Sequence, residues 1–155
     1  AEQGVWMVNV HASGGQKMME AAVQRLDQHA LTIHLIAVTV LTSMQADDLA
    51  GVGINAPLAE HVERLALLTK QSGLQGVVCS AQESARIKML CGESFLKVTP
   101  GIRPSFAVAN DQQRTMGPSE AIAAGSTHLV IGRPITQATD PMAALAVIED
   151  ELAPR

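Results

Sequence analysis

Two turns that each place an arginine next to or near a glycine are the stretches of this sequence best suited to chemistry. Val98-Thr99-Pro100-Gly101-Ile102-Arg103-Pro104 has the form of a buried strand that ends in a rigid turn with one cation, and Leu129-Val130-Ile131-Gly132-Arg133-Pro134 repeats that form. A guanidinium group can donate two hydrogen bonds to one anion, and glycine lets a ligand approach the backbone closely. The turns therefore predict an anion pocket built from Arg103, Gly132 and Arg133. The alternative is that each arginine is a surface residue or pairs with a structural carboxylate.

Further polar residues could serve the same pocket. Gln112 lies in an aperiodic polar segment from Pro104 to Met116. Because long loops in compact domains are often functional lids, we expect Gln112 to close over the ligand. Thr42 and Ser43 follow the clearest apolar strand, where they either bind a ligand or, as spacing alone favours, cap the next helix. Lys97 lies within a predicted strand; burial could lower its pKa for catalysis, but we expect its ammonium group to reach the edge of the layer.

The composition is that of a globular chain and excludes several classes of function. Of 155 residues, 47% are hydrophobic and 17% are charged, which predicts a single domain, residues 1–155, with a real core. A net charge of −4 and only three aromatic residues argue against a nucleic-acid partner. No apolar run approaches the roughly 20 residues that span a bilayer, and no signal peptide is visible. We therefore expect a cytoplasmic protein with no membrane partner.

The cysteines and histidines predict neither disulfides nor a metal site. Cys79 and Cys91 are too few for a disulfide framework and fit a reducing cytosol, with Cys79 as a small core residue. No histidine pairs with a cysteine or another histidine at the spacing of metal ligands. His11 follows a predicted strand and could line a site, although a structural role is the default.

Apolar strands and amphipathic helices alternate five times along the chain. The predicted strands are Val5–Val10, Leu35–Leu41, Gly76–Cys79, Phe95–Thr99 and His128–Ile131. Capping boxes are predicted at Ser13–Gln16 and Ser80–Glu83, and Asp140-Pro141 is predicted to cap the last helix. This alternation predicts an α/β fold with a parallel sheet and right-handed crossovers.

Two α/β folds fit five strand–helix units. One is an open flavodoxin-like sheet, and the other is five-eighths of a TIM (β/α)8 barrel. Barrels often bind phosphate with the loops after their last two strands and a short extra helix. Here the last two predicted strands carry the arginine turns, and residues 135–138 could form the extra helical turn. The placement of the turns therefore favours the partial barrel.

Several segments together resemble the bacterial orotidine 5′-monophosphate decarboxylases, over essentially the whole chain. They match strands four to eight of that family in order: Gly4–Gly15, Ala37–Ser43, Gly76–Ser80, Val98–Pro104 with Asp111-Gln112, and Val130–Pro134. The resemblance implies a cofactor-free barrel, usually a homodimer, that converts orotidine 5′-phosphate to uridine 5′-phosphate and carbon dioxide in pyrimidine synthesis.

The resemblance also implies roles for the candidate residues. Thr42 matches the residue that binds the pyrimidine or ribose at the end of strand five. Arg103, Gln112, Gly132 and Arg133 match the group that holds the phosphate. The loop from Pro104 to Asp111 matches the lid that closes over the phosphate.

One departure from the family affects catalysis directly. The family's proton donor is a lysine in an Asp-x-Lys-x-x-Asp motif after the third strand, and this sequence contains no such motif. We therefore expect no catalytic residue in this chain, which would be a fragment of a longer product or would pair with another chain that supplies the missing strands. Alternatives are a catalytically silent phosphate-binding chain and a related phosphosugar decarboxylase or synthase.

Overall fold

Strands and helices alternate throughout the computed structural model, which describes residues 4–29, 32–107 and 114–153. The strands are β1 (Met7–His11), β2 (His34–Val38), β3 (Gly76–Val78), β4 (Leu96–Thr99) and β5 (His128–Leu129). The helices are α1 (Gln16–Gln28), α2 (Ala46–Gly51), α3 (Leu58–Gln71), α4 (Ser84–Cys91), α5 (Pro118–Ala123), α6 (Arg133–Thr136) and α7 (Pro141–Leu152). Short 3-10 turns at Ala12–Gly14 and Ala81–Glu83 follow β1 and β3.

The strands form one parallel sheet in the order in which they occur along the chain. Neighbours in the described sheet are β1-β2-β3-β4-β5, and the register pairs Val8 with Leu35, Val77 with Lys97 and Val98 with His128. A flavodoxin-like sheet has its first strand between the second and the third. The sequential order excludes that alternative and confirms the prediction of a partial barrel.

The sheet is buried on both faces at its centre, as the apolar strand pattern predicted. Leu35, Ala37 and Val77 point to the helices and join a core with Met19 from α1 and Leu65 from α3. Because side chains alternate along a strand, Ile36 and Val38 point to the opposite, concave face, and both are buried there as well.

Three aromatic rings show how strongly the sheet curves. β1 and β5 are the two edges of the described sheet, yet the ring of Trp6, just before β1, lies 5.5 Å from the ring of His128 on β5. The ring of His34, at the start of β2, lies 6.0 Å from Trp6 in an edge-on arrangement. The rings therefore meet across the amino-terminal end of the concave face, as expected of a sheet curved like a barrel wall.

Of the two capping boxes and the cap of the last helix that the sequence predicted, two are confirmed and one is wrong. The capping box at Ser80–Glu83 is confirmed, since Ser80 N donates to Glu83 Oε2 at 2.9 Å. The box at Ser13–Gln16 is wrong, because Ser13 lies inside a 3-10 turn and Gly15 precedes α1. The side-chain Nε2 of Gln16 donates to Glu20 Oε1 instead. The cap of α7 is confirmed, with Asp140 Oδ1 accepting from the first backbone amides of that helix.

Three strands (β2, β3 and β5) end earlier than predicted, whereas β4 ends as predicted and β1 ends one residue later. β2 ends at Val38 and not at Leu41, and β5 ends at Leu129 and not at Ile131. The chain turns away from the sheet early in both places, which exposes half of the Leu41 side chain. None of the described helices has the length and apolarity that crossing a membrane would need.

Replacing Gly76 in β3 with alanine is expected to destabilise the fold. A Cβ atom at this position would overlap Leu96 Cβ and would lie 2.5 Å from the backbone oxygen of Leu96 on the neighbouring strand. Because backbone cannot move aside easily, we expect G76A to lower the free energy of unfolding by about 1–3 kcal/mol, measured by chemical denaturation.

Gly51, the last residue of α2, offers a matched control. A Cβ atom at Gly51 would meet none of the described residues within 4 Å, and alanine favours a helix over glycine. G51A should therefore be neutral or stabilising. Equal stability of G76A and the unmodified chain would contradict the close packing of β3 on β4.

Candidate functional site

The candidate site residues that the structure describes follow three strands of one parallel sheet. Thr42 follows β2, Arg103 follows β4, and Gly132 and Arg133 follow β5. The carboxyl ends of parallel strands share one edge, which is where barrels and open α/β sheets bind ligands. The two arginine turns follow adjacent strands, since Val130 N still donates to Thr99 O at 2.9 Å. Gln112 lies outside the described residues, so its closure over a ligand stays a prediction.

The turn that carries Arg103 is held rigidly by its backbone. Gly101 has a φ of 78°, which side chains other than glycine rarely adopt. Ile102 is completely buried and pairs with Met116 in an isolated bridge. Arg103 N donates to Met116 O at 2.9 Å, and Met116 N donates to Gly101 O at 3.4 Å. The backbone of the turn therefore fixes the position from which the Arg103 side chain extends.

The guanidinium group of Arg103 has unsatisfied donors. Its Nη1 donates to the carbonyl of Ile102 at 2.9 Å, whereas Nε and Nη2 are buried with no hydrogen-bond partner among the described residues. A buried donor without an acceptor typically costs about 1–3 kcal/mol. An anion at this position would satisfy both donors with charge-assisted hydrogen bonds.

Arg103 also lines a groove whose other side chains do not suit an anion. The groove has a volume of about 450 Å³ and contains the carboxylates of Glu120 and Glu151. Glu151 Oε1 accepts from the amide and hydroxyl of Ser105, and Glu120 Oε2 accepts from Gly117 N. The anion prediction therefore depends on the unsatisfied guanidinium nitrogens and not on this groove.

Gly132 has open space on its side-chain side. A Cβ atom there would meet none of the described residues within 4 Å. Gly132 is exposed, and its contact with a ligand stays a prediction. Arg133 is half-buried and begins α6, which is the expected extra helical turn, two residues earlier than predicted.

Thr42 lies in the turn between β2 and α2 and is only 5% exposed. The turn is closed by Met44 N, which donates to Leu41 O at 2.9 Å. The prediction that Thr42 or Ser43 caps the next helix is wrong. Gln45 occupies the N-cap position of α2, and its backbone N donates to Asp48 Oδ2 at 2.8 Å.

An ion pair between Glu83 and Arg114 lies next to these strand ends and was missed in the sequence. Arg114 Nη1 contacts Glu83 Oε1, and the two side chains are only 11% and 14% exposed. Burial raises the pKa of the Glu83 carboxyl above its ordinary value, and Arg114 and the Ser80 amide offset only part of that shift. The capping box placed Glu83 at the start of a helix, but nothing local to Arg114 indicated its partner.

Lys97 points away from the site, as expected. Only 1% of the residue is exposed, and its Nζ donates to the carbonyl of Glu93 at 3.4 Å, just before β4 begins. Burial lowers the pKa of Lys97, and the nearby Glu93 carboxylate raises it in part. The ammonium group therefore reaches the amino-terminal edge of the layer, opposite to the arginine turns.

The cysteines and the other possible metal ligands add no chemistry to the site. Cys79 is fully buried in the core beside the helices, where burial raises the pKa of its thiol. His11 is exposed at the carboxyl end of β1. The described part of the chain contains no group of three or more histidine, cysteine or acidic residues that could hold a metal ion.

Comparison with known proteins gives a consistent family assignment. Residues 1–148 match the model of the Orotidine 5'-phosphate decarboxylase / HUMPS family. The orotidine 5'-phosphate decarboxylase of Chromohalobacter salexigens is 66% identical over 153 residues, which are 99% of this chain and 65% of the relative. The protein of the same name from Chromobacterium violaceum is 60% identical over 99% of this chain and 62% of its own length. The chain therefore spans less than two thirds of the length of these two relatives.

Solved structures resemble this chain over a similar share of their length. The crystal structure of orotidine 5'-phosphate decarboxylase from Lactobacillus acidophilus aligns with a TM-score of 0.82 and 38% identity, and covers 97% of this chain and 65% of its own. An uncharacterized conserved protein from Geobacillus kaustophilus aligns with a TM-score of 0.79 and 42% identity.

Replacing Lys97 with methionine tests whether the buried charge of Lys97 destabilises the folded state. A lowered pKa in the folded state means that the unfolded chain binds more protons between that pKa and the ordinary value of 10.5. Wild-type stability should therefore rise with pH through this window. We expect K97M to be more stable than the unmodified chain at pH 7, with a difference that shrinks towards pH 10, measured as melting temperature.

The exposed Lys17 provides the control for this pH dependence. K17M should follow the unmodified chain at every pH. A constant loss of stability in K97M from pH 7 to pH 10 would instead assign the main role of Lys97 to its packing and its bond to Glu93.

Proposed function

The chain belongs to the Orotidine 5'-phosphate decarboxylase / HUMPS family, and from this membership we propose that it is the nucleotide- and phosphate-binding portion of an orotidine 5′-phosphate decarboxylase. We also propose that residues 1–155 act as a single domain. In the reaction, the bond between C6 of the pyrimidine and its carboxyl group breaks and carbon dioxide leaves. The electron pair left on C6 takes up a proton, which gives uridine 5′-phosphate.

The guanidinium group of Arg103 is the observation that carries this proposal. Two of its buried nitrogens have no acceptor among the described residues, and the phosphate of the nucleotide is an acceptor with the complementary charge. The adjacent turn would add Arg133 and the open backbone at Gly132. Two cations beside one phosphate dianion would make binding depend strongly on that group.

The remaining binding roles follow from the order of the strands. Thr42, after β2, would contact the pyrimidine or the ribose, with β3 between its strand and that of Arg103. Gln112 would close over the phosphate from the loop between β4 and α5. Binding of the remote phosphate would then supply free energy for holding the pyrimidine in its reactive position.

Catalysis itself would need residues from outside these 155. The Asp-x-Lys-x-x-Asp motif that the family resemblance implies is absent from this sequence, so the proton donor to C6 must come from a polypeptide that carries it. We propose that this chain acts together with such a segment, within a homodimer of the complete barrel. The two buried free cysteines suit a cytoplasmic location.

Nucleotide binding should depend on both arginines. We expect the chain to bind uridine 5′-phosphate much more tightly than uridine in calorimetric titrations. R103Q and R133Q should each weaken uridine 5′-phosphate binding about tenfold or more, because a hydrogen bond to a charged group contributes about 1.5–3 kcal/mol. R103K should be intermediate, since lysine keeps the charge but loses the fork geometry.

Arg86 offers a matched control for loss of one arginine charge. It pairs with Glu63 at 2.9 Å between α4 and α3 and is more than half exposed, so R86Q should bind the nucleotide normally. Equal affinity for uridine and uridine 5′-phosphate would contradict the phosphate site. Equal affinity for ribose 5-phosphate and uridine 5′-phosphate would favour a phosphosugar-binding barrel instead.

The chain alone should not decarboxylate the nucleotide. We expect no loss of orotidine 5′-phosphate absorbance with the isolated chain, and recovery of activity when a segment with the Asp-x-Lys-x-x-Asp motif is added from a relative. The Chromohalobacter salexigens decarboxylase serves as the positive control. A rate for the isolated chain equal to that control would show that the assignment of catalysis outside these residues is wrong.

A further inference from the structure

We propose that Arg114 is a positioning residue that holds the turn bearing Thr42 at a fixed place relative to the turn bearing Arg103. The inference rests on the proposed function, in which these two turns bind the two ends of one nucleotide. It assigns no contact with the ligand to Arg114, which would act through the backbone of other residues.

Arg114 reaches the end of β2 directly. Its Nη2 donates to the carbonyl of Leu41 at 3.0 Å and lies 3.5 Å from the carbonyl of Val40. Thr42 is the next residue, inside the turn that Leu41 O closes by accepting from Met44 N. Thr39 bonds this segment to β3 through Val78 O, and Arg114 holds it two residues further on, at Leu41.

The same guanidinium group is tied to the end of β3 through Glu83. Glu83 Oε1 pairs with Arg114 Nη1, while its Oε2 accepts from the amide of Ser80, the second residue after β3. Ser80 is completely buried, and its Oγ accepts from Gln82 N at 3.3 Å. Glu83 is therefore held on its own strand end and gives Arg114 a fixed anchor.

The backbone of Arg114 is linked to the end of β4. Met116, two residues later, pairs with Ile102 and accepts from Arg103 N at 2.9 Å. Between them, Thr115 O accepts from Gln82 Nε2 at 3.5 Å. The short segment 114–116 thus connects the ends of three consecutive strands, including those that bear Thr42 and Arg103.

Stability alone is a poor explanation for this arrangement. A buried ion pair often contributes little to folding, because both charges lose their hydration. Here the Nε of Arg114 is also buried with no hydrogen-bond partner among the described residues. The pair instead fixes a distance. The planar guanidinium group of Arg114 bonds to Leu41, after β2, and to Glu83, after β3, and so sets the separation of these two strand ends.

The test compares two ligands that differ in whether they span both turns. Uridine 5′-phosphate would engage both turns, whereas glycerol 3-phosphate would engage only the phosphate turn. R114Q should weaken uridine 5′-phosphate binding about tenfold and glycerol 3-phosphate binding less than about twofold, because the pairing of Met116 with the Arg103 turn remains. The readout is the dissociation constant of glycerol 3-phosphate divided by that of uridine 5′-phosphate, which R114Q should lower. It is measured on samples whose folded fraction is checked by thermal unfolding.

Variants of Glu83, together with a conservative variant of Arg114, test whether the two residues act as one link. E83Q should lower the same ratio, and the double variant R114Q/E83Q should be no worse than R114Q alone, since both changes remove one linkage. R114K keeps the charge opposite Glu83 but cannot reach both partners at once, so it should be intermediate and should fold even if R114Q does not. R86Q, which removes an exposed ion pair, should leave the ratio unchanged.

Equal weakening of both ligands by R114K and E83Q would overturn the inference and assign the pair to general stability. So would unchanged binding of uridine 5′-phosphate by these variants while the unmodified chain binds it. Failure of the unmodified chain to bind uridine 5′-phosphate would overturn the proposed function and, with it, this inference.

Discussion

The sequential parallel pairing of the strands is the constraint on which the rest of the structure depends. Each of the described strands pairs in parallel with the next strand along the chain, so their carboxyl ends lie at the same edge of the sheet. The curvature shown by the contact between Trp6 and His128 makes that edge an arc around a concave face. Thr42 and Arg133, which are distant in sequence, both follow strands at this edge for this reason. The function proposed for them is thus a consequence of strand order before it is a consequence of any side chain.

The turns at this edge are held by contacts outside the side chains proposed to bind the ligand. The Arg103 turn is set by the φ of Gly101 and by the pairing of Ile102 with Met116, and the Thr42 turn is set by Met44 and Arg114. On this fixed turn, Nε and Nη2 of Arg103 are buried without a hydrogen-bond partner among the described residues. Such pre-organisation lowers the entropy that a bound anion must remove, which favours tight binding of a small charged group.

Local features could be predicted from the sequence, whereas contacts between distant segments could not. The Ser80–Glu83 box and the Asp140 cap are correct because both ends of each interaction lie within a few residues. The strand order remained open between two folds, because periodicity does not say which strands are neighbours. The Glu83 and Arg114 pair joins residues 31 positions apart, and no spacing rule connects them. The error at Ser13–Gln16 has a local cause, since a 3-10 turn competes with the cap at that point.

In the proposed barrel, the turns that bind the phosphate and the motif that donates the proton lie on different strands. The phosphate end of the proposed site depends on the turns after β4 and β5, which this sequence contains in full. The motif that would supply the proton belongs to earlier strands of the family and is absent from the sequence. Binding energy from a phosphate can be used at a reacting carbon only if both are held in one rigid frame. A link such as Arg114, which joins the phosphate turn to the nucleoside turn through fixed backbone, is what would let the two ends of the site act together.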